Sequence, residues 1–129
     1  MAYSYRATQT LIKRGDEAAL RTALENSLDP NLANQNGWSL LMLAAVEGFV
    51  PIGQMLLEAG ATVNSKNRHD ETALSLAAQK AHIPFLELLL QHGASKDPKP
   101  HGTVLSLWLT NSPGLTDAQR TEVLQLLGL

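Results

Sequence analysis

Residues 34–66 read NQNGWSLLMLAAVEGFVPIGQMLLEAGATVNSK, and residues 67–99 read NRHDETALSLAAQKAHIPFLELLLQHGASKDPK. The second stretch lies beneath the first without a gap, so the chain has a fixed period, the step from Asn34 to Asn67. Leu41, Leu43, Ala44 and Ala45 fall on Leu74, Leu76, Ala77 and Ala78. Pro51 falls on Pro84, Leu56-Leu57 on Leu89-Leu90, and Gly60-Ala61 on Gly93-Ala94. A fixed period of this size marks stacked supersecondary units, none able to bury its apolar face alone. The function expected of such a stack is binding through a built surface.

The local signals agree with a helix pair in each unit. In the unit 34–66, Asn36-Gly37 signals a tight hairpin turn. Ser39 is placed to cap a helix over Leu40–Val46, and Gly48 to end it. Pro51 suits the first turn of a second helix, where its missing N–H is not needed. That helix carries Ile52, Met55 and Leu56 and stops at Gly60. In the unit 67–99, the turn is Asn67–Asp70 and Thr72 is the cap. Helices are expected over Leu74–Lys80 and Pro84–His92, with Gly93 as terminator.

Outside this pair the pattern weakens. One period upstream, Gly48 maps to Gly15, Leu57 to Leu24 and Asn64 to Asn31. Asp16 is a good N-cap for a helix whose stripe is Ala19, Leu20, Ala23 and Leu24. A shorter helix is expected over Arg6–Arg14, with Leu11 and Ile12 inward. Downstream, Thr103–Ser106 resembles Thr72–Ser75, but Thr103 stands short of Leu105, where the period would place it, so the period slips. Trp108 stands where the inner unit has Ala77. Thr116 and Gln119 have the spacing of a capping box, and Val123, Leu124, Leu126 and Leu127 give the last helix its apolar side. The chain therefore divides into units at 1–33, 34–66, 67–99 and 100–129, with the outer two acting as caps.

The bulk composition excludes several classes. With 129 residues, 44% apolar and 17% charged, the chain suits one folded domain. A formal charge of −2 gives no reason to expect nucleic acid as partner. There is no cysteine, so disulfides and thiolate metal sites are impossible. The first residues lack an apolar core for a signal peptide, and no apolar run is long enough to span a bilayer. A cytoplasmic protein without membrane association is expected.

The unit resembles the ankyrin repeat, a turn plus two antiparallel helices over about 33 residues with a Thr-Pro-Leu-His signature. Here that signature reads Ser39-Leu-Leu-Met42 and Thr72-Ala-Leu-Ser75: the hydroxyl and the Leu are kept, the Pro and His are not. Downstream, Leu-Leu-x-x-Gly-Ala at 56–61 and 89–94 fits better, as do Asn64 and Asp97 at the family's Asn position. The resemblance implies an all-α solenoid with short β-hairpin fingers. It also implies that recognition uses the finger tips and the exposed side of the first helices. By position these are Lys13, Arg14, Gln35, Asn36, Trp38, Val46, Glu47, Lys66, Arg68, His69, Glu71, Gln79, Lys80, Lys99 and His101. With Arg6 counted, seven cations face three acids there (Glu47, Asp70 and Glu71), in a chain that is net acidic. A partner with an acidic contact patch is expected. Trp38 is open to two readings: an interface anchor, or a ring lying flat on a neighbouring unit.

Catalysis is not expected. The four histidines include no pair at the i, i+4 spacing of a helical metal site. No phosphate loop, nucleophile elbow or paired-acid constellation is present. His82 reads as a structural residue, and Asp70-Glu71 as carboxylates beside a helix start. No cofactor is implied. The expected role is a stoichiometric inhibitor that covers a site on a protein partner, monomeric when free. Small free-standing ankyrin proteins resembling this one include kinase inhibitors and toxin-neutralising immunity proteins. Four units take up these 129 residues, which leaves little for bridging two proteins; a scaffold or adaptor subunit is the alternative.

Overall fold

The computed structural model describes residues 3–129, with the side chain of His101 outside the description. Four helix pairs follow one another. They are α1 (Tyr5–Lys13) with α2 (Glu17–Glu25), α3 (Leu40–Glu47) with α4 (Val50–Glu58), α5 (Ala73–Gln79) with α6 (Ile83–Gln91), and α7 (Leu105–Thr110) with α8 (Asp117–Leu127). Helix α3 packs between α1 and α5, and α5 between α3 and α7, which makes an inner layer. Helices α2, α4 and α6 stack in the same order outside it, and α8 packs on α7. This is an all-α solenoid.

The caps explain why the helices start where they do. Ser4, Asp16, Ser39, Thr72 and Thr116 each accept a backbone N–H of the first turn. Thr116 and Gln119 form the reciprocal box, and Thr72 does the same with Ser75. Pro51 and Pro84 sit in first turns. The expected helices over Arg6–Arg14, Leu74–Lys80 and Pro84–His92 each begin one residue earlier, because the helix starts directly after its cap.

Thin side chains set the spacing of the inner layer. Ala44, Ala45, Ala77 and Ala78 are fully buried, so α3 and α5 approach closely. In the outer layer, Phe85 is also fully buried. A methyl at Gly53 would lie 2.6 Å from its ring, so the absent side chain on α4 is what admits the Phe on α6.

The fingers are turns rather than hairpins with named strands. Among the described residues one isolated antiparallel bridge, Ala33 to Ser39, is the only β pairing. An asparagine organises each inner turn instead. Asn34 Oδ1 accepts from the amides of Asn36 and Trp38, at 2.9 Å each. One period later, Asn67 Oδ1 accepts from His69 and Glu71 at 2.9 and 3.0 Å. Gly37 alone of the Asn36-Gly37 pair is left-handed, and Asp70 takes that conformation in the next turn. A further period on stands Pro100, which has neither amide nor carboxamide to repeat the device, and a single 3-10 turn replaces it.

Two more ladders join the units. Asn31 donates to Gly60 O and accepts from Thr62 N; Asn64 repeats this with Gly93 O and Ser95 N. Phe49 lies over Gly15, and His82 lies over Gly48. The His82 ring also meets Val46 O at 2.9 Å through Nε2. A carbonyl can only accept, so Nε2 carries the proton. The structural reading of His82 therefore holds.

Candidate functional site: the inner face and finger tips

The inner face begins with a cleft of about 390 Å³ between the first two units. Its lining joins Tyr5, Gln9 and Lys13 of α1, Asn34, Asn36 and Trp38 of the first finger, and Leu43, Val46 and Glu47 of α3. Five expected residues thus share one wall: Lys13, Asn36, Trp38, Val46 and Glu47. Tyr5, Gln9, Asn34 and Leu43 were not among the expected residues. Tyr5 and Gln9 carried a signal, since with Lys13 they stand at successive i, i+4 positions on one face of a helix.

Trp38 lies between the core and the surface. It is half-buried and packs against the hydrophobic core, yet part of it walls the cleft. Its position follows from Asn34, which holds both the Trp38 amide and, through its own N–H, the Trp38 carbonyl. Tyr5 lies at the same cleft with a buried hydroxyl that has no hydrogen-bond partner among the described residues. Burial pushes its phenol above the ordinary value, so the hydroxyl stays protonated.

The remaining expected residues lie outside the cleft. Arg14, Gln35, Lys66, Arg68, His69, Lys80 and Lys99 are exposed. Arg68 ties one finger to the previous one: its amide donates to Asn36 O at 3.0 Å and its Nη1 to Asn36 Oδ1 at 3.2 Å. Gln79 is half-buried at the end of α5; back in the cleft wall, Val46 is half-buried with its carbonyl held by His82. The expectation of a surface role for His101 falls on a side chain outside the described part.

Glu71 needs correcting as a surface residue. It is only 8% exposed, and its Oε1 accepts from Asn67 Nδ2 at 2.8 Å. The turn that Asn67 closes folds this carboxylate inward. The exposed acids of the face are then Glu47 and Asp70. Across the molecule, the outer helices present Glu17, Glu25, Glu58 and Glu87 to solvent, with Arg21 as their exposed cation.

Among the described residues no group of three or more His, Asp or Glu is placed to hold a metal ion. Nor is any helix among them long and apolar enough to cross a membrane.

Comparison with known proteins adds one match. The family model described as ankyrin repeats (3 copies) matches residues 7–100. No curated protein matches the chain. The match stops at Pro100, the same position at which the turn asparagine is lost. Helix pairs in two layers, a fixed period with its asparagine ladders, and a model match over most of the length agree: the chain belongs to the ankyrin repeat family.

Proposed function

We propose that this protein is a stoichiometric inhibitor that covers a site on a protein partner with its inner face. Ankyrin repeats are protein–protein interaction modules, which sets the class. The observation that carries the narrower reading is the cleft walled by Lys13 and Trp38; we read the exposed Arg14, Lys66, Arg68, Lys80 and Lys99 as part of the same face by their place in the repeat. One such face covers one site. Its sign fits a partner with an acidic patch, and the acidic outer layer repels that partner from the opposite side. No chemistry is asked of the protein beyond binding.

The reading is tested by capturing the partner from native extract and titrating its activity. Activity should fall to a floor at one equivalent. Lys13→Glu and Arg68→Glu should slow association, and the difference from wild type should shrink as salt is added. Trp38→Ala should instead speed dissociation, costing about 2 kcal/mol of affinity if the ring is an anchor. Because Trp38 also touches the core, its variant is compared at a temperature where circular dichroism shows it folded. Unchanged binding in all three variants would refute the assignment of this face. Full partner activity in the complex would refute inhibition and favour the adaptor.

A further inference from the structure

The inner-layer helices can be compared position by position, and the last one stands apart. With Thr103 aligned on Thr72, Val104 and Leu107 occupy the places of Ala73 and Leu76, and one period earlier of Leu40 and Leu43. Those four inner residues are between 0% and 7% exposed. Val104 and Leu107 are each 52% exposed. The difference follows from the neighbours: α3 is covered by α1 and α5, α5 by α3 and α7, and α7 by α5 alone within its layer. Leu105 and Leu109 take the covered side of α7, which leaves Val104 and Leu107, one turn apart, on the other. Leu129, 51% exposed, joins Val104 at a small cleft whose other walls include Lys96, Asp97 and Lys99.

The opposite end is built differently. Helix α1 also has one inner-layer neighbour, yet its exposed residues are Arg6, Ala7, Thr10 and Lys13. The side of the stack that α1 forms is therefore largely polar, whereas the fourth unit exposes large apolar side chains.

We propose that the uncovered face of the fourth unit pairs with the same face of a second copy, α7 against α7, about a two-fold axis. The cover that α7 lacks is one helix, and α7 of another copy supplies it by continuing the stacking interface. The rim carries both signs, with Lys96 and Lys99 beside Asp97, all exposed. A two-fold axis can therefore set a lysine of each copy toward the aspartate of the other. Stacking head to tail would instead bury Arg6 against Leu107, at the cost of desolvating a charge, and would propagate into an open fibre. The small cleft at the paired face shares no lining residue with the inner-face cleft, and Lys99 alone belongs both to its rim and to the proposed recognition surface.

Sedimentation of the whole chain over a range of concentrations reads the association directly. A monomer–dimer equilibrium is expected, with Leu107→Glu and Val104→Glu each raising the dissociation constant about tenfold or more, as placing a charge in an apolar contact requires. Both residues are exposed, so circular dichroism should stay native; Leu107→Ser serves if a charged variant misfolds. Arg6→Glu should leave the equilibrium unchanged. The chain has no cysteine, so Leu107→Cys is a clean probe of symmetry. It should form an intermolecular disulfide under mild oxidation, because a two-fold axis near α7 brings the two thiols together. A monomer at all concentrations overturns the proposal, as does a dimer that survives both glutamate variants. Cross-linking only between Leu107→Cys and Arg6→Cys chains would replace the two-fold pair by head-to-tail stacking.

Discussion

The inner units and the fourth unit are held together by opposite means. From residue 34 to 99 the same small devices recur once per period: Asn34 and Asn67 inside the turns, and Phe49 and His82 laid over the glycines of the preceding unit. Asn31 and Asn64, one period apart, staple each loop to the next. Each bond is modest; the turn asparagines bond within their own unit, and the other two ladders reach a residue of the neighbouring unit. Among the described residues the fourth unit repeats none of these. It is organised by one side chain, Arg120, whose Nε donates to Leu109 O and whose Nη2 donates to Ser112 O and Leu115 O. Periodic stabilisation is shared along the stack, whereas stabilisation by a single residue is local and easily lost.

The largest test of that contrast removes α8 altogether. Deleting Thr116–Leu129 takes away Arg120 and the buried Val123 and Leu127, and uncovers Leu105, Leu109 and Leu115. At about 1.5–3 kcal/mol per large buried side chain, the loss is of the order of the whole stability of a small domain. Aggregation or loss of the folding transition is expected, read by sedimentation and thermal melting. A monomer with an unchanged melting point would show that the inner units need no fourth.

Arg120→Ala is the milder version. Three carbonyls lose a charged donor, which should cost about 2–3 kcal/mol. The Asp117 contact adds little, since that carboxylate is fully exposed. Lysine should not rescue the variant, because an ammonium cannot reproduce the planar fork. Hydrogen exchange localises the effect: amides of α7 and α8 should lose protection while those of α3 and α4 keep theirs. Uniform loss along the chain would mean that the fourth unit is coupled as tightly as the inner ones.

The same division explains what could be read from the sequence. Much of what is periodic or local was visible: the two inner helix pairs, the caps at Asp16, Ser39, Thr72 and Thr116, and the left-handed stop at Gly48. The site was visible in outline, because the period carries finger positions from one unit to the next. Two kinds of residue escaped. Glu71 shares its register position with Trp38, but whether a turn folds a carboxylate in or out depends on Asn67, three-dimensional information that spacing lacks. Arg120 lies on a polar helix face, and only the fold brings three carbonyls to it. The short hairpins expected in the fingers are reduced to the single bridge of Ala33 to Ser39, since asparagine side chains satisfy amides that a strand partner would have taken.

A smaller perturbation tests the inner devices directly. Gly48→Ala puts a methyl 2.6 Å from His82 Nδ1, at a residue with φ +74°. The left-handed backbone costs roughly 1–2 kcal/mol, and displacing the ring from Val46 O adds about 1 kcal/mol. In a His82→Ala background only the backbone part should remain. A double-mutant cycle on melting free energies measures the difference. Equal costs in both backgrounds would show that the ring moves aside freely.

The smallest effect should come from the next rung of that ladder and carry the opposite sign. Ala81 occupies the register position of Gly15 and Gly48 and has φ +57°, a left-handed conformation held by a residue with a Cβ. The backbone must bend there because Ala81 lies between the end of α5 and the start of α6, and its amide donates to Ala78 O at 3.0 Å. Ala81→Gly removes roughly 1–2 kcal/mol of strain. Against this stand the greater freedom of glycine in the unfolded chain, about 0.5–1 kcal/mol, and the loss of a half-buried methyl. The balance favours glycine by about 0.5 kcal/mol, a rise in melting temperature of roughly 2–3 °C. His82 should keep its bond to Val46 O, since that bond runs back over Gly48 and not over Ala81. A lower melting temperature would mean that the methyl packs better than the left-handed backbone strains, and that the third unit has already adapted to the break in the period that follows it.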